Sequence, residues 1–254
     1  MADLAQSRSF HDVARKVRRK LGLMLGQRQI GHVWPGGVVS FTFDDFPKTA
    51  LTAGGAILER HGARGTYYTA SKLVGTLGDL GPLFETEDLR AAHRNGHEIA
   101  CHTHSHLRCS EADKATLVSE VRANAAGISG IIKGFVPMNF AYPFGAASPR
   151  ARHVLTRHYA SCRGIQPGIN LKIPDTAELY AYSVYAGTFD EVRMRELIDR
   201  NKAAGGWLIF YTHDVTPAPS PYGCTPEQWD TVVGYAAKTS PILPVRDVMA
   251  ALNA

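Results

Sequence analysis

Apolar runs rich in β-branched and aromatic residues recur along the chain, and segments with helical character separate them. Strands are predicted at seven runs: 37–43, 64–69, 97–102, 138–141, 158–163, 178–184 and 206–212. Helices are predicted near 49–61, 86–95, 110–132, 189–203 and 226–238. This alternation predicts an α/β fold, with a parallel sheet or barrel of about seven strands and helices outside it.

Local signals mark several helix ends. Asn95-Gly96 is a good C-terminal stop, and Ser110-Glu111-Ala112-Asp113 is expected to open the longest helix. Thr225-Pro226-Glu227-Gln228 resembles a capping box with proline at the first helical position.

Acidic and imidazole side chains follow three of the predicted strands. Asp44 and Asp45 follow the first strand, His102 and His106 the third, and His213 the last. Because the carboxyl ends of parallel strands meet at one rim, we expect these side chains to converge on one mouth of the sheet or barrel. The grouping predicts a divalent metal site and a hydrolytic reaction.

Two histidines and one carboxylate from these clusters suit a metal ion. Adjacent carboxylates such as Asp44 and Asp45 repel each other in a shielded site unless a cation removes the conflict. His102 and His106 are four residues apart, so a helical turn would place both on one side, with His104 off that line. Such a set leaves an open coordination position, which is typical of catalytic sites. Zinc is the first choice, and cobalt, nickel or iron also fit.

His213 belongs to a different strand and can serve a different purpose. Amide hydrolysis expels an amine that must be protonated as it leaves, and a histidine near its ordinary pKa can supply that proton at neutral pH. His213 is therefore a candidate general acid.

The net charge of +5 is confined to the N-terminal extension. Residues 1–28 contain seven basic and two acidic residues, so the rest of the 254-residue chain sums to zero. A neutral remainder argues against nucleic acid as a substrate. We therefore divide the chain into a basic extension and linker at 1–35 and a catalytic domain at 36–254.

Residues 8–26 predict a basic amphipathic helix with one apolar stripe, formed by Phe10, Val13, Val17, Leu21 and Met24. Docking on its own domain or a second subunit fits this pattern, as does peripheral contact with an anionic membrane; disorder is the third alternative. No apolar run approaches the ~18 residues that span a bilayer, and no signal peptide is recognised. A cytoplasmic location is expected, at the inner face of the membrane if the helix binds lipid.

Four cysteines are too few for a disulfide scaffold in a chain of this length. Cys101 and Cys109 flank the histidine cluster, which raises the alternative of a Cys/His zinc site. Buried free thiols are the expected state, because Cys101 would point away from His102 on a strand.

Four motifs resemble those of the polysaccharide deacetylases, also described as the nodulation-protein-B-like domain or carbohydrate esterase family four. They are Thr42-Phe43-Asp44-Asp45, Gly96-His97-Glu98 with His102-Thr103-His104-Ser105-His106, Pro143-Phe144-Gly145 and Thr212-His213-Asp214. Their order and spacing match the family over about residues 36–250. The resemblance implies a distorted (β/α) barrel, one divalent ion, and removal of N-acetyl groups from amino sugars.

The resemblance also implies a role for each motif residue. Asp44 would be the general base and His213 the general acid, while the backbone N–H of Phe144 would donate to an oxyanion. The implied metal ligands are Asp45, His102 and His106.

The chain departs from the family pattern at two positions. The third motif commonly begins with an arginine that steadies the catalytic base, but Ala141 stands there. Arg163, at the end of the next predicted strand, is the candidate replacement and is expected to contact Asp44. Phe46 follows the aspartates where glycine is usual, so a bulkier rim beside the metal is expected. Both departures bear on substrate identity more than on reaction type.

The expected substrate is an uncharged N-acetylated saccharide, either an oligo- or polysaccharide or a lipid-linked one. Tyr142, Tyr211, Trp207 and Tyr222 are candidates for sugar-stacking faces or for the core. The alternatives are a metal-dependent amidase of the amidohydrolase type, a metallo-β-lactamase-like hydrolase, and a sugar-binding module that has lost catalysis. A nucleic-acid binder with a basic arm is the most remote of them.

Overall fold

A computed structural model describes residues 34–172 and 174–252. The helix predicted at 8–26 lies outside the described residues. In the described part, seven strands form one sheet: β1 Val38–Asp44, β2 Thr66–Thr69, β5 Glu98–Cys101, β6 Asn139–Ala141, β7 Ser161–Arg163, β8 Tyr182–Ser183 and β9 Trp207–Thr212. Their order in the sheet is β7-β6-β5-β2-β1-β9-β8, and every neighbouring pair is parallel. A short hairpin, β3 Leu77–Gly78 and β4 Gly81–Pro82, stands apart from the sheet.

The segment after β7 joins the two edges of the sheet. Leu179 pairs with Arg163 of β7 in a parallel bridge, and the Val184 N–H donates to Tyr211 O on β9 at 2.8 Å. The sheet is therefore curled into a distorted (β/α) barrel, as predicted. We call the end where the strands finish the upper rim and the end where they begin the lower end.

Helices cover the outside of the curled sheet. They are α1 Ala56–Arg60, α2 Thr86–Arg94, α3 Lys114–Ile131, α4 Pro149–Leu155, α5 Glu191–Ala204, α6 Pro226–Thr239 and α7 Val245–Leu252. The capping box predicted for α6 is present, with the Thr225 side chain accepting from the Gln228 N–H. Among the described residues, no helix combines the length and apolar character that crossing a membrane requires.

Two helices begin differently from prediction. The longest helix starts at Lys114 rather than near residue 110, because the Asp113 carboxylate accepts from the Thr116 N–H and caps it there. The helix expected from residue 49 begins as π-helix, Ala50–Gly55. An added Cβ at Gly54 would lie 2.6 Å from the Phe43 ring, so this close approach to β1 requires glycine.

The last helix, α7, was not predicted from the sequence and closes the lower end of the barrel. Its apolar positions recur at helical spacing and are buried: Val245, Val248, Met249 and Leu252. They pack in one cluster with Val38, Trp207 and Ile209 from β1 and β9. The signal was present as an i, i+3, i+4, i+7 pattern after Pro244, but eight residues are short for a periodicity argument.

Candidate active site

The two aspartates diverge because the chain turns sharply at the end of β1. Asp44 is the last residue of the strand, and Asp45 and Phe46 have left-handed φ values of 60° and 53°. The turn sends the Phe46 ring into the core, where it packs 4.6 Å from Tyr67 and 5.0 Å from Phe84 between ring centroids. Phe46 is fully buried, so the expectation that it makes the rim bulkier is wrong.

The histidine motif forms an irregular loop after β5, and the helical turn expected from its spacing is absent. Thr103 and His106 instead have φ values of 61° and 57°, which fold the loop back toward β1. The Thr103 hydroxyl accepts from the Leu107 N–H at 2.8 Å and holds this turn. His102 and His106 nevertheless reach the same partner, with Nε2 3.5 and 3.2 Å from Asp45 Oδ1.

These three side chains can hold a metal ion, because one ligand atom from each lies within 4.8 Å of the others. His102 Nδ1 is 2.9 Å from Ala141 O, so Nδ1 carries the proton and Nε2 presents its lone pair to Asp45. Asp45 Oδ1 is buried without a hydrogen-bond partner. Burial raises the pKa of Asp45 to about 6 and lowers the pKa of His102 to about 3. A buried carboxylate oxygen without a donor, facing two neutral imidazoles, fits a bound cation.

The other two histidines of the second motif have structural partners. His104 Nδ1 is 2.9 Å from Ser71 Oγ, which places it off the ligand line as predicted. His97 accepts from the Gly65 N–H at 2.9 Å and contacts Glu59 at 3.0 Å. Neither histidine lines the cavity described below.

The predicted contact between Arg163 and Asp44 is confirmed, since an Arg163 Nη2–H donates to Asp44 Oδ1. Arg163 and Ala141 are register partners on adjacent strands, so the arginine reaches the base from the strand next to the motif. Its guanidinium lies between two aromatic rings, 5.0 Å from the Tyr68 centroid and 4.9 Å from the Tyr211 centroid. Arg163 is itself fully buried, so it orients Asp44 and does not reach the cavity.

Electrostatics keep Asp44 ionised. Burial alone would raise the pKa of Asp44, but the charge of Arg163 and its hydrogen bond to Asp44 lower the pKa below its usual value. Asp44 and Asp45 thus differ in protonation tendency, although they are adjacent in sequence.

His213 enters the site from the end of β9. Its Nδ1 is 3.1 Å from Tyr222 O, and its Nε2 is 3.9 Å from Asp45 Oδ2. With Nδ1–H donating to the carbonyl, Nε2 faces the metal-ligand set. The ring lies between two tyrosines, with centroids 6.1 Å from Tyr185 and 5.7 Å from Tyr222.

One cavity of about 590 Å³ contains these groups. It is lined by the polar cluster of Asp44, Asp45, His102, His106 and His213, and by Leu73, Gly78, Asp79, Leu80, Leu83, Phe144, Gly145, Ile165, Tyr185, Tyr211 and Tyr222. Its size is within the usual range for small-molecule sites. The three strand-end clusters therefore meet at the upper rim, as the strand pattern predicted.

Not every predicted substrate contact lies in this cavity. Tyr211 lines it and Phe144 borders it, with the Phe144 ring 4.4 Å from His106 between centroids. Tyr142 does not, because its ring is buried and its hydroxyl donates to Ala177 O at 2.9 Å; its selection as a substrate-binding side chain is corrected. Trp207 is also core, with Nε1 donating to Ser40 Oγ at 2.9 Å.

One wall of the cavity was not predicted from the sequence. The segment between β2 and α2 contains the β3–β4 hairpin, in which Gly78, Asp79 and Leu80 line the cavity. Tyr185 and Ile165 were also missed. The only local signal was a glycine-rich turn composition around the hairpin, which indicates a loop but not where the loop folds.

A profile of the polysaccharide deacetylase family matches residues 33–161, just over half of the chain. The chain therefore belongs to this family of hydrolases, which remove acetyl groups from saccharides. Curated protein sequences give no match.

Solved structures with the same fold include deacetylases of several substrates. A protein of the polysaccharide deacetylase type from Mycobacterium smegmatis superposes with a TM-score of 0.62 at 14% identity, over 90% of this chain and 95% of its own. The chitin deacetylase of Colletotrichum lindemuthianum gives 0.59 at 18%, over 88% and 89%. A family 4 acetyl xylan esterase of Clostridium thermocellum, solved with a cobalt ion, gives 0.56 at 19%, over 84% and 91%. At these identities the likeness establishes the fold.

Proposed function

We propose that this protein is a metal-dependent deacetylase that hydrolyses the N-acetyl group of an amino sugar in an oligo-, poly- or lipid-linked saccharide. One observation carries the proposal. A complete ligand set, a separately positioned carboxylate and a histidine from a third strand end all face one cavity of about 590 Å³.

The ligand set comprises Asp45, His102 and His106. When bound there, a divalent ion supplies Lewis acidity, polarising an acyl carbonyl and lowering the pKa of water. Zinc suits two imidazoles and one carboxylate with an open position. The cobalt in the acetyl xylan esterase structure supports a small first-row ion more generally.

The remaining groups divide the proton transfers. Asp44, kept ionised and oriented by Arg163, is placed to accept a proton from the attacking water. His213 Nε2 is placed to return a proton to the departing amine, while its Nδ1–H is anchored on Tyr222 O. The backbone N–H of Phe144 is the proposed oxyanion donor.

Metal content and acetate release together test the proposal. The protein is expected to contain one ion per chain and to release acetate from an N-acetylated glucosamine oligomer, with activity lost on chelation and restored by zinc or cobalt. An O-acetylated xylan in the same panel separates amide from ester specificity. No acetate from any saccharide, or activity indifferent to chelation, would contradict the proposal.

Three histidine variants test the ligand set with a built-in control. His102→Ala and His106→Ala should each lose the metal in elemental analysis. His104→Ala, in the same loop but directed at Ser71, should retain it. Stoichiometric metal in all three variants would remove these residues from the site.

The basic extension is proposed to serve peripheral membrane or subunit contact. Deleting residues 1–28 removes the entire net charge of +5. Acetate release from a soluble saccharide should persist, while binding to anionic vesicles or the oligomeric state changes. An insoluble or metal-free truncation would indicate that the extension belongs to the fold instead.

A further inference from the structure

One wall of the cavity is apolar. The segment between β2 and α2 contributes three leucines to this wall: Leu73, Leu80 and Leu83. Aromatic rings can stack on sugar faces, but leucine side chains offer a sugar hydroxyl no hydrogen bond. This wall therefore matches a group without hydroxyls.

The apolar character continues to the mouth of the cavity. Of the eight large apolar side chains that are exposed among the described residues, three line this one cavity: Phe144, Ile165 and Tyr222, at 54%, 37% and 56% exposure. Exposed apolar side chains that concentrate around a cleft mark a ligand-binding site more often than chance surface placement.

The charged side chains around the cavity bear on whether a ligand's apolar group is itself charged. Among residues 34–172 and 174–252, the charged side chains that line the cavity are Asp44, Asp45 and Asp79, with no lysine or arginine. Beside the mouth, the Arg108 guanidinium stacks 4.3 Å from the Phe144 centroid, and its Nε is 3.6 Å from Glu111 Oε1. The described lining therefore offers carboxylates and no basic side chain to a charged group next to the sugar.

We propose that the substrate is an amphiphile, an N-acetylated amino sugar joined to an uncharged apolar group that packs on the leucine wall. This inference rests on the proposed deacetylase function and names its substrate class. The sugar occupies the part of the cavity with the metal ligands and tyrosines, and the apolar group leaves along the β3–β4 hairpin.

The test compares methyl and octyl β-glycosides of N-acetylglucosamine below the micelle concentration. A fully buried methylene strengthens binding by roughly fourfold, so two buried methylenes suffice for a preference of about 10-fold. We expect kcat/KM for the octyl glycoside to exceed that for the methyl glycoside by about 10-fold or more. Equal values for the two glycosides would overturn the inference while leaving the deacetylase function intact.

Two leucines of the same hairpin provide matched variants. Leu80 lines the cavity, whereas Leu77 is 80% exposed and does not. Leu80→Asn should reduce the octyl preference by about threefold or more, with metal content and cooperative urea unfolding reporting an intact fold. Leu77→Asn should leave the preference unchanged. An equal loss in both variants would indicate a general effect of the hairpin and reject the leucine wall.

Binding to the Asp44→Asn variant separates this inference from the proposed function. Calorimetric titration with the two glycosides should show tighter binding of the octyl compound even if no glycoside is turned over. If the wild-type protein releases acetate but the Asp44→Asn variant binds the two glycosides with the same affinity, the amphiphilic substrate is wrong and the deacetylase function stands. If binding strengthens with the alkyl chain but the wild-type protein hydrolyses no saccharide, the deacetylase function is wrong and the amphiphilic ligand stands.

Discussion

Two buried carboxylates, Glu98 at the lower end of the barrel and Asp45 at the upper rim, have opposite hydrogen-bonding environments. Glu98 accepts from Thr66 Oγ1 at 2.8 Å, Asn139 Nδ2 at 2.6 Å and the Arg246 N–H at 2.8 Å. Asp45 Oδ1 is equally hidden from solvent and has no hydrogen-bond partner. One carboxylate is satisfied by the protein, and the other is available to the proposed cation.

Backbone conformation also differs between the upper rim and the lower end. Six non-glycine residues in the described part of the chain have left-handed φ values, and five belong to the upper-rim loops: Asp45, Phe46, Thr103, His106 and Phe144. At the lower end, the first residues of β2, β5, β6 and β7 are linked in register by side-chain hydrogen bonds, without such strain. Backbone strain and the unpaired Asp45 oxygen lie together at the upper rim, and the hydrogen-bonded network at the lower end contributes to stability.

The largest effect is expected from Asp44→Asn. Loss of a general base typically costs ~10²–10⁴ in rate, whereas the metal should stay because Asp44 is beside the ligand set. Asp79→Asn removes a carboxylate from the same cavity, outside the catalytic cluster, and should change the rate far less. Acetate release is measured on both variants. Near-normal turnover by Asp44→Asn would exclude Asp44 as the general base.

Arg163→Met should affect both stability and rate. It leaves a buried carboxylate at Asp44 without its cation, and breaking a buried ion pair typically costs ~3–5 kcal/mol in unfolding free energy. Because Ala141 is the register partner of Arg163, adding Ala141→Arg should return a guanidinium to Asp44 and recover part of the activity. Urea unfolding and acetate release are the measurements. No recovery in the double variant would mean that the Tyr68 and Tyr211 rings require the arginine on β7.

At the lower end, Glu98→Gln should act on stability alone. The amide nitrogen would face a donor, and leaving a buried donor unpaired costs about 1–3 kcal/mol of unfolding free energy. Metal content and kcat should be unchanged, since Glu98 is at the lower end of the barrel. A fall in kcat without a fall in stability would contradict this separation of the two ends.

The smallest effect is a pH dependence at Glu98. Burial raises its pKa above the ordinary 4.5, although the three hydrogen bonds oppose the shift. The folded protein therefore retains this proton to higher pH than the unfolded chain, so the contribution of Glu98 to stability falls as pH rises from about 4.5 through the folded pKa. Unfolding free energies of wild type and Glu98→Gln should converge as pH rises through this window. A constant difference would show that Glu98 does not titrate there.

Side-chain chemistry at strand ends was predictable from sequence because parallel strands bring their carboxyl ends to one rim. This rule alone placed Asp44, Asp45, His102 and His213 together. The contact of Arg163 with Asp44 was expected from the family resemblance, which calls for an arginine beside the base, and from its place at the end of the strand after the third motif. His102 and His106 both reach Asp45 Oδ1, but not by the geometry expected from their spacing. Two left-handed residues, rather than a helical turn, bring them together.

The sequence by itself determined the alternation of strands and helices, the family resemblance and the residues able to bind a metal, because these depend on local pattern and residue type. Only the tertiary structure decided which side chains face the cavity. Phe46 and Tyr142 are adjacent to catalytic motifs yet buried in the core, while Leu80 lies far from every motif and lines the site. These outcomes depend on backbone turns and on contacts between distant segments, and the periodicity of a single segment contains neither.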